Sequence, residues 1–167
     1  MLRICYGMNQ LNFEQLMEVY EEGNRENGKE NYPLDSTEAQ LDKATWDFAA
    51  YLREDFFRVK GAYYAIWEEA GCYKSALRME PYEDGWLLEA LETHPSCRRE
   101  GYAKKLVCSV LAQIPSRICV YSHVGKHNTA SMATHLCCGF RMWKDYAKYV
   151  DGTVSQYACT MKFSGNM

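Results

Sequence analysis

The residues best placed to do chemistry stand together as Arg98-Arg99-Glu100-Gly101-Tyr102-Ala103. They follow an apolar run with strand character, Trp86 to Thr93, and a proline, Pro95, and they precede a helix pattern. A strand that turns through a glycine into a helix start makes a pocket for an anion. The first N–H groups of a helix lack partners and carry partial positive charge. Glycine lets the backbone come close without a Cβ in the way, and arginines make forked contacts with phosphate. The segment therefore predicts a site for a phosphate-bearing cofactor, set against the plainer reading of a strand-to-helix turn whose arginines face solvent. A second cluster, His123 and His127 followed by Cys137-Cys138, has part of a zinc-ligand spacing but lacks the paired cysteine element, so no metal is expected.

The elements that must position this segment can be read from periodicity. Leu2 to Tyr6 suits a first strand, and Asn12 can cap a helix whose face is Phe13, Leu16, Met17 and Tyr20. Glu21 to Tyr32 is polar, carries two glycines and reads as a loop, one able to gate a site. Asp35 with Glu38 forms a capping-box-like start to a helix buried through Leu41, Ala44, Thr45, Phe48 and Leu52. Strands follow at Ala62 to Glu68, Lys74 to Met79 and Trp86 to Thr93, with turns at Ala70-Gly71 and Glu83-Asp84-Gly85. Ala103, Leu106, Val107, Val110 and Leu111 give a helix face that Pro115 ends, and Arg117 to Ser122 is the next strand. Strand, helix and strand in this sequence make a βαβ unit with parallel strands. Asn128 opens a further helix that stops at Gly139; Phe140 to Tyr149 and Val154 to Phe163 read as strands about the hairpin signal Asp151-Gly152.

Composition narrows the partners. A chain of 167 residues with 47% hydrophobic content fits one domain, read as residues 1–163 with a frayed end at 164–167. A net charge of -3 argues against nucleic acid as a partner. No apolar run reaches the roughly 20 residues that span a bilayer, so no membrane partner is expected. The N-terminus lacks the apolar segment of a secretory signal, and the eight cysteines then read as reduced thiols in a cytoplasmic protein.

The order of elements resembles the GNAT superfamily of acetyl-CoA-dependent N-acetyltransferases. Its signature, Gln/Arg-x-x-Gly-x-Gly/Ala between a central strand and a helix, stands here as Arg98 to Ala103. A second family pattern, Asn-x-x-Ala-x-x-Leu-Tyr-x-x-x-Gly-Phe, corresponds to NTASMATHLCCGF from Asn128 to Phe140. Asn128, Gly139 and Phe140 match; Ser131 replaces the alanine, Thr134 the leucine and His135 the tyrosine. The match is clear over residues 86–141. The resemblance implies an α/β (α+β) fold with a mixed, mostly antiparallel central sheet, a splayed pair of parallel strands and flanking helices. Acetyl-CoA is the implied co-substrate. The amides and side chains of Arg98, Arg99, Gly101, Tyr102, Ala103 and Lys104 would hold its pyrophosphate. Backbone groups near Leu91 and Thr93 would hold the pantetheine arm, with Asn128 either touching that arm or capping its helix.

The implied reaction transfers an acetyl group to a primary amine, from a small molecule or a peptide, by direct attack. Such an amine needs a base, and Glu89 and Glu92 lie on the central strand, on opposite faces if the strand is regular. A bulge between them would change that parity. Several family members carry an acid at the place of Glu89, which favours it slightly; His94 ranks third. His135 stands where the family's tyrosine often serves as general acid, or else is a histidine packed against the sheet. The resemblance leaves room for a homodimer. The alternative reading is a non-catalytic acyl-CoA-binding regulatory domain of the same fold.

Overall fold

The computed structural model describes residues 1–165. A seven-stranded sheet in the order β1-β2-β3-β4-β5-β9-β6 runs through the molecule. Its strands are β1 (Leu2–Cys5), β2 (Tyr63–Glu69), β3 (Cys72–Tyr82), β4 (Gly85–Thr93), β5 (Cys119–Gly125), β6 (Arg141–Lys144) and β9 (Ala158–Ser164). Every pairing is antiparallel except β4 with β5. That pair is joined by helix α4 (Tyr102–Leu111), as a parallel connection requires. The implied mixed sheet is the observed one.

Side-chain alternation along the strands builds two cores. On one face Leu77, Met79, Leu88 and Val120 meet Leu106, Val107 and Val110 of α4. On the other, Tyr64, Ile66 and Ala76 meet Leu16 and Val19 of α1 (Phe13–Val19), and Leu52 at the end of α3 (Thr37–Glu54). Helix α5 (Thr129–Cys137) follows β5, and Gly139 after it takes a φ of 93°. Ala70 and Gly71, both with positive φ, make the tight turn between β2 and β3. The eight cysteines are unpaired and graded in depth: Cys5 lies in the core under α1 and α3, Cys159 in the core under α4, while Cys72, Cys108 and Cys137 are exposed.

Three expectations are corrected. The polar stretch expected as a loop is a helix, α2 (Glu21–Asn31). It has almost no apolar face, and its stability comes from lying against α3. A Cβ at Gly28 would sit 2.5 Å from the Gln40 carbonyl oxygen, so glycine is what lets the two backbones touch. Helix α3 is capped by Ser36, whose hydroxyl accepts the Ala39 N–H, and not by Asp35. The expected strand from Phe140 to Tyr149 is two, β6 and β7 (Ala147–Lys148), and that from Val154 likewise divides into β8 (Val154–Ser155) and β9. The short β7–β8 ladder encloses the Asp151-Gly152 turn as a hairpin. Of the end expected to fray, Ser164 pairs with Cys119 in the ladder, and residues 166–167 lie outside the described residues.

Candidate active site

Two irregularities in β4 make the site. The parallel ladder to β5 runs from Gly85 opposite Cys119 to Leu88 opposite Ser122 and stops, so the strands part beyond it. On its other edge β4 slips against β3: Arg78 faces Glu89, but Ala76 faces Glu92. The extra residue is taken up at Ala90, whose φ is 49° and whose carbonyl accepts the Tyr20 hydroxyl at 2.5 Å. A bulge shifts side-chain parity by one. Glu89 and Glu92 consequently point to the same face of the sheet, the one carrying α1 and α3, as Arg78 and Ala76 do.

A cleft of about 560 Å³ opens where β4 and β5 part. Leu91, Glu92 and Thr93 of β4 form one side, Arg98, Arg99, Gly101, Tyr102, Ala103 and Lys104 the floor at the start of α4, and Asn128 with Ser131 and Thr134 of α5 the far wall. Helix α4 begins at Gly101, with φ 81°, and no side chain caps it. Its first bonded amide is that of Lys105, to the Gly101 carbonyl at 3.0 Å; among the described residues the amides of Tyr102, Ala103 and Lys104 donate to nothing. A Cβ at Gly101 would meet no atom within 4 Å, so the backbone angle, not crowding by the protein, calls for glycine.

The Tyr102 side chain is buried and its hydroxyl donates to the Glu69 carboxylate, which holds that carboxyl below its usual range and pushes the tyrosine up to about 12. Arg98 is steadied by an ion pair with Glu22 of α2 at 2.7 Å. The Asn128 side chain accepts the Ser131 N–H at 3.0 Å, so it caps α5 at the cleft wall. This arrangement suits a diphosphate: three free N–H groups at a helix start, two arginines and a lysine.

The two expected carboxylates divide between two cavities. Glu92 borders the cleft. Burial raises its pKa, Arg98 opposes that rise, and Glu22 and Glu26 add to it. Glu89 lies three residues away beside a second cavity of about 800 Å³, walled by Tyr51, Phe56, Leu87 and Tyr149. Its Oε1 is 3.0 Å from Arg78 Nη2, a charge contact at an angle that leaves this oxygen without a hydrogen bond. The Tyr149 side of the cavity belongs to the β7–β8 hairpin, held down because the Tyr82 hydroxyl and the His123 ring both reach the Lys148 carbonyl. Glu80 of β3, which sequence reading passed over, lies 7% exposed on this cavity, and burial with the charge of Glu89 pushes its pKa up to about 7.

His135 is not brought to the cleft. It is 1% exposed, its Nδ1 is bonded to the Ser131 carbonyl at 2.8 Å, and its ring stands edge-on to Phe140. Burial lowers its pKa, and among the described residues its Nε2 has no partner. The ring is absent from the lining of the cleft, to which its helix contributes Ser131 and Thr134. Among the described residues no three His, Cys, Asp or Glu side chains gather as a metal centre, and no helix is long and apolar enough to cross a membrane.

Comparison with known proteins follows the same lines. The model of the acetyltransferase (GNAT) family matches residues 16–140. No curated protein sequence matches the chain. Among solved structures, a PaiA N-acetyltransferase from Thermoplasma acidophilum in complex with coenzyme A aligns over 98% of this chain and 99% of its own, at TM-score 0.65 and 13% identity. A ribosomal-protein-alanine N-acetyltransferase from Brucella melitensis covers 98% and 99% at TM-score 0.60 and 14% identity. A spermidine N-acetyltransferase from Vibrio cholerae covers 98% and 94% at TM-score 0.60 and 15% identity. At such identities the likeness is one of fold.

Proposed function

The chain belongs to the GNAT family of acetyltransferases, and from that premise we propose that it moves the acetyl group of acetyl-CoA to a primary amine by direct attack, with residues 1–163 as one catalytic unit. The observation that carries this is the uncapped start of α4, with three free amides, at the mouth of the divided β4–β5 pair. The residues present fit the group: amides and Arg98, Arg99 and Lys104 for the diphosphate, and the edge of β4 at Leu91 and Thr93 for the arm. When bound, acetyl-CoA supplies an acetyl group already activated as a thioester.

The chain's own work is to manage one proton and one negative charge. A primary alkylamine has a pKa near 10, so roughly one molecule in a thousand is neutral at pH 7. Glu89, on the second cavity and next to the bulge, takes the ammonium proton in this reading, directly or through water; Glu92, in the cleft, is the other candidate. The amine nitrogen then bonds to the acetyl carbon as the carbon–sulfur bond breaks. A β4 amide near the bulge faces the developing oxyanion, a contact commonly worth about 3 kcal/mol. The leaving thiol has a pKa near 8.5, so its thiolate departs with little acid help, consistent with a histidine buried at the place of the family's tyrosine.

Thermal unfolding with and without acetyl-CoA tests the binding step. Acetyl-CoA is expected to raise the Tm of the native protein, and Gly101→Glu, which puts a carboxylate among the free amides, is expected to abolish the shift. No shift at millimolar cofactor would remove both this function and the regulatory alternative. Thiol release with an amine panel then separates the two: a regulatory domain shows the Tm rise and no release.

A further inference from the structure

Resting on the acetyltransferase reading, we propose that the acceptor is a flexible amine carrying a second positive charge, and that the 800 Å³ cavity over β3 and β4 is where it binds. Five carboxylates border this cavity, Glu54, Asp55, Glu80, Glu89 and Asp151, against Arg58 on the rim and Arg78 beneath Glu89. An acidic group of residues would mean little alone, since such clusters are commonly just solvated. Two further observations point to a ligand with N–H donors.

The first is unused acceptor capacity. Glu80 is 7% exposed, and among the described residues no N–H group or cation is bonded to its carboxyl; its polar neighbour is another carboxyl, Glu89. Glu89 lines the same cavity with its Oε1 turned to Arg78 Nη2 at 3.0 Å. Two neighbouring carboxyl groups on one cavity, one of them with no N–H donor bonded to it, are complementary to an ammonium, which has three donors and no acceptor. A cation there also offsets the repulsion between them.

The second is the make-up of the cavity's lining. The acid pair lies at the β4 bulge, next to the cleft proposed for the thioester. Glu54 and Asp55 lie at the C-terminal end of the 18-residue helix α3, where unpaired carbonyls add partial negative charge. Asp151 is kept ionised on the hairpin by the Thr153 N–H and hydroxyl. The same cavity is also lined by the apolar surfaces of Tyr51, Phe56 and Leu87. An alkyl chain with an amine at each end matches that lining: in this proposal one end reacts at the acid pair, the spine packs on the apolar residues, and the far ammonium pairs with the exposed rim acids.

The test compares three acceptors of similar length under saturating acetyl-CoA: cadaverine, n-pentylamine, and a pentylamine ending in a carboxylate. Cadaverine is expected to exceed pentylamine in kcat/KM by about tenfold or more, and the carboxylate compound to fall below pentylamine, the range expected when one charge contact is gained or opposed. In Glu54→Gln/Asp151→Asn the preference for cadaverine should shrink towards unity; both sites are exposed, so the fold survives the change. Cadaverine alone should raise the Tm, less so in that variant and at high salt. Equal turnover of all three amines, or a preference for the carboxylate compound, overturns the proposal and leaves the transferase reading standing. A Tm rise with cadaverine but no thiol release from any amine sinks the transferase reading instead, and keeps the cavity only as a diamine site.

Discussion

Glu89, Glu92 and Glu80 illustrate how little a residue's type says about its role before its neighbours are known. The first two are legible as candidates because they sit on the strand that leads into Arg98–Ala103. Their shared face is not legible, since it depends on one extra residue at Ala90 that no local pattern marks. Glu80 is invisible for a similar reason: it is one acid on an alternating strand until the β3–β4 register brings it to Glu89. His135 stands where the family's tyrosine is usual, and in the structure it is buried against Phe140. If Glu89 is the base, Glu89→Gln lowers kcat by about a hundredfold or more, in the range for losing a general base, with the acetyl-CoA Tm shift retained. Full turnover in both Glu89→Gln and Glu92→Gln would end the assignment of either as base. A pH series checks Glu80. Its folded pKa, about 7, lies above its ordinary 4.5, because burial and Glu89 favour the neutral form while Arg78 opposes them. The associated stability is full below pH 4.5 and is lost as pH rises through 7. In urea unfolding, Glu80→Gln should flatten the decline over that window and leave the variant the more stable protein at pH 8.

At the scale of elements, the strands and α4 are readable because their side-chain period and turn residues agree. Helix α2 is not, because both signals mislead: its surface is polar nearly all round and it contains Gly23 and Gly28. The two glycines differ in what surrounds them. A Cβ at Gly28 meets the Gln40 carbonyl at 2.5 Å, whereas one at Gly23 meets nothing within 4 Å. Gly28→Ala should therefore destabilise by about 1–3 kcal/mol through overpacking, while Gly23→Ala should stabilise by about 0.5–1 kcal/mol by restricting the unfolded chain. Chemical denaturation of both variants checks this, and equal effects would mean that α2 does not rest on α3 as described. The same helix supplies Glu22 to Arg98, so its docking also steadies one wall of the cleft.

The molecule as a whole is one sheet with a core on each side, and the eight thiols sample it at different depths. Cys72, Cys108 and Cys137 are open to solvent, while Cys5 at 0% and Cys159 at 1% exposure belong to opposite cores. A maleimide added to the native protein should tag the three open thiols promptly and reach Cys5 and Cys159 only through rare excursions of the fold. Because both cores share β2, β3 and β4, those two should be tagged at one common rate, read by peptide mass spectrometry; a faster Cys5 would mean that the α1–α3 layer lifts off independently. The chain thus carries its own pair of clocks, one beneath each layer of helices, and needs no engineered label for its breathing to be timed.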